Sequence, residues 1–273
     1  MNLSQFQHLA RQRLTHEDAA LEIELMLCQV LDKSRIFLRT WPETILTSIQ
    51  LEQLNSYLQQ RQQGIPLAYI LGERAFWSLN LSVTPDVLIP RPDTECVVEK
   101  VLAFGQGQQW RVVDLGTGSG AIALSLAKEH PEWSVVATDL YPSSLAIAQH
   151  NAQKNQIHHV EFVQGSWFEP VTGLFDCIVS NPPYIVENDP HLSQLTHEPL
   201  RALVAAEQGL ADLAHIVQLS GKFLAKNAYL VLEHGFDQGH AVRELLLQAG
   251  FSQVTTGQDY GGNDRYTVGQ YVK

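Results

Sequence analysis

The sequence predicts an α/β protein in two parts: a small all-helical N-terminal domain, then a larger domain whose mostly parallel sheet carries helices on both faces. Three observations lead there. Apolar residues recur at three- and four-residue steps through the first sixty positions, the spacing of one helix face. From Trp110 onward, short apolar runs alternate with helical patterns, which is the signature of a doubly wound sheet. The length, 273 residues, exceeds a typical single domain and suits one large domain plus a small one.

In the N-terminal part, Ala20, Ile23, Leu27 and Leu31 form one periodic set, Ile45 pairs with Ile49, and Leu51, Leu54 and Leu58 form another. Asp32, Thr40-Trp41-Pro42 and Gly64-Ile65-Pro66 supply the breaks between short helices. These patterns define a helical domain over residues 1–68. Residues 69–90 change texture to aromatic and β-branched side chains around Ser78-Leu79-Asn80 and read as a β-hairpin linker, ended by Leu88-Ile89-Pro90-Arg91-Pro92. Residues 91–273 form the third part. Asp93 is placed to cap a helix that carries Thr94 and Glu95 in its first turn and runs to about Phe104. The expected parallel strands contain Val112-Val113, Val135-Val136-Ala137, Val160 to Val163, Cys177-Ile178-Val179 and Tyr229 to Leu232. The segments Phe251 to Thr256 and Arg265 to Tyr271 have no helix between them and are expected to pair antiparallel at the sheet edge.

Composition narrows the function classes. With 45% hydrophobic and 17% charged residues, the chain can bury a sizeable core. Its formal charge of −11 disfavours binding through phosphate contacts, which needs a dense Lys/Arg surface, so no direct nucleic-acid binding is expected. Met1 to Ala20 has no apolar signal core, and no run approaches the roughly 20 apolar residues that span a bilayer. A cytoplasmic protein without membrane contact is expected. Cys28, Cys96 and Cys177 are odd in number and in no C-x-x-C pair, and His158-His159 lacks helical ligand spacing, so no metal site is expected.

The first strand runs into Asp114-Leu115-Gly116-Thr117-Gly118-Ser119-Gly120 and then a helical segment. Glycines here let the backbone turn tightly and approach a nucleotide-type ligand. The spacing alone leaves NAD and FAD open, because the third position of the dinucleotide fingerprint falls on Ala121, which that fingerprint tolerates. Asp139, about 20 residues further at the next strand end, can accept hydrogen bonds from both hydroxyls of a ribose. Trp167, in the loop after the third strand, lies on the same ligand-binding edge and can cover an adenine. Together these residues resemble the first motif and acidic strand-end residue of class I methyltransferases. That resemblance implies S-adenosylmethionine as cofactor, with S-adenosylhomocysteine as product. It places Gly116, Gly118 and Gly120 along the methionine and ribose parts and Asp114 near the methionine amino group.

The fourth strand ends in Ser180-Asn181-Pro182-Pro183-Tyr184-Ile185. Adjacent prolines fix φ and donate no N–H, so this loop is rigid and its carbonyls can face a ligand. A planar amide or nucleobase NH2 is a poor nucleophile because its lone pair is delocalised. The side-chain oxygen of Asn181 and the carbonyl of Pro182 can each accept one N–H, which orients the lone pair and stabilises the developing positive charge. Tyr184 can stack on the planar group. Asn181, Pro182 and Tyr184 are thus the catalytic candidates, and Pro183 joins them in binding substrate. Cofactor binding falls to Asp114, Gly116, Thr117, Gly118, Ser119, Gly120, Asp139, Trp167 and Asn181. The tetrapeptide points to an NH2 acceptor without saying which, since adenine, cytosine, guanine and glutamine methyltransferases share it. Glu233 and His234 are read as structural hydrogen-bonding groups, and Arg91 is left outside catalysis.

Further stretches narrow the acceptor: Arg61-Gln62-Gln63-Gly64-Ile65-Pro66-Leu67-Ala68-Tyr69-Ile70, Gly72 with Phe76, Leu88 to Glu95, Glu198-Pro199 with Ala202-Leu203, Glu233-His234-Gly235 and Asp259-Tyr260-Gly261. In this order, with the two loops, they resemble the peptide chain release factor N(5)-glutamine methyltransferase family across nearly the whole chain. The resemblance implies a Rossmann-like class I methyltransferase fold and, as acceptor, the glutamine of the Gly-Gly-Gln tip of class I release factors. The segment from Pro190 to Glu198 is shorter than in many relatives, which leaves the shape of that loop open. Two alternatives stand beside it: a nucleic-acid amino (adenine N6-type) methyltransferase, and a catalytically idle cofactor-binding scaffold, against which the intact Asn181 to Tyr184 speaks.

Overall fold

The computed structural model describes residues 1–272 and divides into two compact units, Met1–Glu73 and Arg74–Lys273. The first is built from helices α1 (Leu3–Arg13), α2 (Ala19–Leu31), α3 (Arg35–Thr40), α4 (Ser48–Gln62) and α5 (Leu67–Leu71). Their starts are set by side-chain caps. Asn2 and Gln5 form a reciprocal capping box, Thr47 and Gln50 form another, and Ser34 accepts from the Phe37 N–H. Leu3, Phe6, Ile23, Met26, Leu27, Leu54 and Leu58 are fully buried together in one core, each burial contributing about 1.5–3 kcal/mol. The expected pairing of Ile45 with Ile49 fails here. Ile45 and Ile49 are exposed by 69% and 75%, because the capping box at Thr47 starts α4 between them and no continuous helix joins them.

From the last residue of the first unit onward, β1 (Glu73–Phe76) and β2 (Leu79–Ser82) make the two-stranded hairpin. Extended chain begins at Glu73 rather than Tyr69, because α5 continues to Leu71 and closes at Gly72. Pro92–Thr94 forms a single 3₁₀ turn leading into α6 (Glu95–Gly105). Asp93 therefore sits inside that turn and does not cap the helix. The doubly wound part follows with β3 (Arg111–Leu115), α7 (Ala121–Glu129), β4 (Ser134–Asp139), α8 (Pro142–Lys154), β5 (Val160–Gln164) and β6 (Phe175–Ser180). It continues through short turns to α9 (Ala211–Ser220), β7 (Leu224–Glu233), α10 (Gly239–Gln248), β8 (Ser252–Gln258) and β9 (Asp264–Tyr271).

The seven strands are ordered β5-β4-β3-β6-β7-β9-β8. The first five run parallel, while β9 pairs antiparallel with both β7 and β8. Side-chain alternation sends Val112, Cys177 and Val179 into the layer shared with α6 and α7, and Val113, Ile178 and Leu230 into the layer shared with α9 and α10. Strand order reverses between β3 and β6, which gives the carboxyl ends of β3, β4 and β6 a common crevice, the place where open α/β sheets bind ligands.

Candidate active site

A cavity of about 310 Å³ opens at that crevice, lined among others by Asp114, Gly116, Trp167, Asn181 and Pro182. On its β3 side, Gly116, Gly118 and Gly120 all have left-handed backbone, with φ of +73°, +55° and +85°. At Gly116 a Cβ would stand 3.4 Å from the Trp167 ring, so the missing side chain lets the indole close over the loop. Gly120 differs. It is the N-cap of α7, and a Cβ there would come within 2.9 Å of Leu124 and 3.3 Å of Ala148. It is not among the residues lining the cavity, although its neighbours Ser119 and Ala121 are, and its small size serves packing of α7 against α8.

Asp114 is buried at the end of β3. Its Oδ2 accepts from the Thr117 hydroxyl at 2.7 Å and the Ala123 N–H at 3.1 Å, while Oδ1 has no partner. Burial raises its pKa to about 7, against the lowering effect of those two hydrogen bonds and with a smaller push from Asp139. A buried acid with an unmet oxygen is an attractive seat for a cationic donor. Asp139, at the end of β4, accepts from the Gly118 N–H on Oδ2 and the Tyr141 N–H on Oδ1, each at 2.9 Å. One oxygen per amide leaves further lone pairs for a diol. Burial raises its pKa as well, opposed by the same two amides.

On the β6 side, the Ser180 hydroxyl donates to the Leu115 carbonyl at 2.6 Å and ties the two strand ends together. The proline loop is then clamped from outside. The Tyr184 carbonyl accepts from Gln238 Nε2 at 3.0 Å, and Ile185 exchanges backbone hydrogen bonds with Leu203 and Ala205. Asn181 donates through Nδ2 to the Thr94 hydroxyl at 3.3 Å.

Asp114, Gly116, Thr117, Gly118, Ser119, Asp139, Trp167, Asn181, Pro182 and Pro183 are thus brought to one cavity. Tyr184 is not among its lining residues. Its ring packs against the core layer of α9 and α10, and its hydroxyl donates to Glu233 at 3.3 Å. Burial, then the Glu233 charge, pushes its pKa well above the usual tyrosine value, so it stays a neutral donor. Thr94, Arg91, Ser144 and Arg201 also line the cavity and were not singled out as site residues from sequence. Arg201 stacks over Tyr141 at 4.1 Å and donates to the Asp86 carbonyl. The segment before it is held by Glu198, which accepts from Arg91 at 2.5 Å and from the Ile89 N–H at 3.1 Å. The local signals for these residues were weak, since each acquires its meaning from a partner distant in the chain.

Residues 94–237 match the family described as methyltransferase small domain, and residues 5–72 match the one described as PrmC N-terminal domain. The chain is 50% identical to the release factor glutamine methyltransferase of Yersinia pestis, with 100% of both chains covered. It is 45% identical to that of Escherichia coli K12, covering 98% of this chain and 100% of the other. Among solved structures, a methyltransferase from Pyrococcus furiosus aligns with a TM-score of 0.58 at 19% identity, over 79% of this chain and 100% of that one. A T. thermophilus 16S rRNA N2 G1207 methyltransferase in complex with AdoMet and guanosine aligns with a TM-score of 0.55 at 18% identity, over 72% of this chain and 49% of that one. At such identities these two structures speak for the fold alone.

Proposed function

We propose, from the premise that this chain belongs to the release factor glutamine methyltransferase family, that it methylates the side-chain amide nitrogen of the glutamine in the Gly-Gly-Gln motif of class I peptide chain release factors. S-adenosylmethionine is the methyl donor. The observation that carries the reading is the meeting of Asn181 and Pro182 with Asp114 and Asp139 in one cavity.

The residues present fit the cofactor. The unpartnered Oδ1 of buried Asp114 suits an ammonium group, and the Gly116 and Gly118 turn leaves the backbone open for close approach. Asp139 keeps acceptor capacity for a ribose diol. Trp167 supplies a flat apolar wall. When bound, S-adenosylmethionine supplies a methyl group already activated by its sulfonium, so neither a metal nor a strong base is required for the transfer.

The protein's task is to prepare the nitrogen. Asn181 Oδ1 and the Pro182 carbonyl accept the two N–H groups of the glutamine amide, hold its plane, and direct the nitrogen lone pair towards the cofactor side of the cavity. The same two oxygens stabilise the positive charge that grows on nitrogen. One of its protons then leaves to water. The prolines keep both acceptors in place without competing N–H donors. Tyr184, with its hydroxyl on Glu233, supports the loop from behind and does not line the cavity.

No helix of the described residues is long and apolar enough to cross a membrane, and we place the enzyme in the cytoplasm with its proposed translation partner. Labelled S-adenosylmethionine should transfer its methyl group to an unmodified class I release factor, and not to its tip Gln→Ala variant or to duplex DNA. Label on DNA alone would replace this function with nucleic-acid amino methylation.

A further inference from the structure

His234, the residue that follows β7, is wholly buried and takes part in none of the steps derived above. Both of its ring nitrogens are engaged: Nδ1 lies 2.8 Å from the Gly235 carbonyl, and Nε2 lies 2.8 Å from the Thr267 hydroxyl. A carbonyl only accepts, so Nδ1 must carry the proton. The far end of the series demands the same. Arg243 Nη1 on α10 donates to the Thr256 hydroxyl at 2.7 Å, and Thr256 Oγ1 lies 2.9 Å from Thr267 Oγ1. A guanidinium only donates, so Thr256 passes its proton to Thr267, and Thr267 passes its own to Nε2. Burial holds the His234 pKa below the usual histidine value and keeps the ring neutral; the Gly235 carbonyl and Asp264 oppose this, while Arg265 and Arg243 push the same way as burial. One directed series of hydrogen bonds thus runs from α10 through β8 and β9 to the end of β7, and it admits a single tautomer of the histidine.

The series continues into the proline loop. The Gly235 N–H donates to Gln238 Oε1 at 2.8 Å, which turns Gln238 Nε2 towards the Tyr184 carbonyl at 3.0 Å and the Gln208 carbonyl at 3.4 Å. Gln238 stands at the N-cap of α10, yet its side chain makes no cap there. The backbone opposite is shaped to admit this contact. A Cβ on Gly209 would stand 2.1 Å from the Tyr184 carbonyl oxygen and 2.7 Å from Gln238 Nε2. Glu207 and Gln208 before it have φ of +53° and +57°, backbone that residues with a Cβ hold only where their surroundings impose it. The chemistry of the loop explains what the contact serves. The prolines fix φ at Pro182 and Pro183, but the direction of the Pro182 carbonyl also depends on ψ, which the rings narrow and do not set. That angle is decided by where the chain is held on either side, by Ser180 on Leu115 before it and by Tyr184 on Gln238 after it.

We propose that His234 is a positioning residue for methyl transfer: acting through Gly235 and Gln238, its Nδ1–H tautomer holds the Tyr184 carbonyl and, with it, the direction of the Pro182 carbonyl that receives the target N–H. This role rests on the glutamine methylation proposed above. The other tautomer would set two acceptors, Nδ1 and the Gly235 carbonyl, face to face and open the turn. Gln238 would then lose the N–H that orients its carboxamide, whose two ends are nearly isosteric and opposite in chemistry. Its oxygen could turn to the Tyr184 carbonyl, acceptor against acceptor, and release the loop. Neither His234 nor Gln238 lines the cavity, so their loss falls on the transfer step and not on cofactor binding.

The test is imidazole and backbone amide NMR on the cofactor-free full-length chain, with transfer kinetics on an unmodified class I release factor measured in parallel. The His234 ring of the parent should show the neutral Nδ1–H tautomer near neutral pH. His234→Asn keeps an N–H donor near the Nδ1 position, whereas His234→Gln reaches the Nε2 position and gives up the contact with Gly235. His234→Gln should lower kcat roughly 10- to 100-fold, with S-adenosylmethionine affinity changed less than about threefold, and His234→Asn should recover most of the rate. The Ile185 amide, which shares a peptide with the Tyr184 carbonyl, should shift in His234→Gln and in Gln238→Leu alike. Combining those two substitutions should cost no more rate than the larger single loss, because the residues act in series. A parent ring in the Nε2–H or charged form, a His234→Asn as slow as His234→Gln, or losses that multiply in the double variant would overturn the proposal. If the His234 variants do not fold, the parent ring and Gln238→Leu decide, and parental kcat in Gln238→Leu overturns it. If the parent itself transfers nothing to the release factor, the proposed acceptor is wrong, while the ring tautomer and the Ile185 resonance still judge the positioning.

Discussion

The loops after β3 and β6 leave neighbouring parallel strands at one edge of the sheet, yet they are built in opposite ways. The first bends through three glycines with positive φ and keeps two buried carboxylates beside it, one with an oxygen unmet. The second is stiffened by two prolines, clamped at Tyr184 and Ile185, and offers neutral oxygens. The difference follows from what each must hold. A charged ligand with hydroxyl and ammonium groups needs backbone that can approach it and acids that wait for it. A poor nucleophile needs acceptors that do not yield. Flexibility of backbone type is thus concentrated on the cofactor side, and rigidity on the acceptor side.

On the cofactor side of this division, the largest effect is expected at Gly116. Gly116→Val places a β-branched residue at φ +73° with its Cβ against Trp167. Such strain costs about 1–3 kcal/mol, and calorimetry should show S-adenosylmethionine affinity reduced roughly 10- to 100-fold. Gly120→Ala separates packing from binding within the same loop. At φ +85° and 2.9 Å from Leu124, the methyl should lower folding stability by about 2 kcal/mol, read by denaturant unfolding, with much less loss of cofactor affinity in the folded fraction.

The smallest effect sharpens the role of Asp114. Its pKa rises from 3.8 to about 7 on folding, so between those values the folded state holds a proton that the unfolded state has lost. Stability of the cofactor-free protein attributable to this group is full below about pH 4 and is lost as pH rises to about 7. Glu233, also raised to about 7, adds a slope of the same sign but is unchanged by a substitution at 114. Asp114→Asn should therefore stabilise the cofactor-free chain at pH 8 by on the order of 1–2 kcal/mol, converge with the parent near pH 4, and bind S-adenosylmethionine more weakly. Thermal unfolding at the two pH values measures this directly.

Local patterns carried the architecture well. The parallel strands, the antiparallel final pair, the glycine loop and the proline loop all announce themselves within a few consecutive residues, because strand burial and backbone freedom are local properties. What escaped was set by distance along the chain. Thr94 meets Asn181 across 87 positions, and Tyr184 meets Glu233 across 49. Gly120 looked like its two loop companions, and only the packing of Leu124 and Ala148 reveals its separate task. Ile45 and Ile49 had helical spacing, but a helix starts between them. Asp93 had the right residue type for a cap but lies inside a 3₁₀ turn that moves the helix start beyond it.

The division of labour between the two loops is tested most directly by the single-turnover rate of Asn181→Ala acting on an unmodified class I release factor, at an S-adenosylmethionine concentration shown by titration to saturate the variant. The expected result is a dissociation constant within about threefold of the parent and a transfer rate lowered roughly 100- to 1000-fold. A variant that transfers at the parental rate, or one whose rate falls only because it no longer binds the cofactor, would contradict the account.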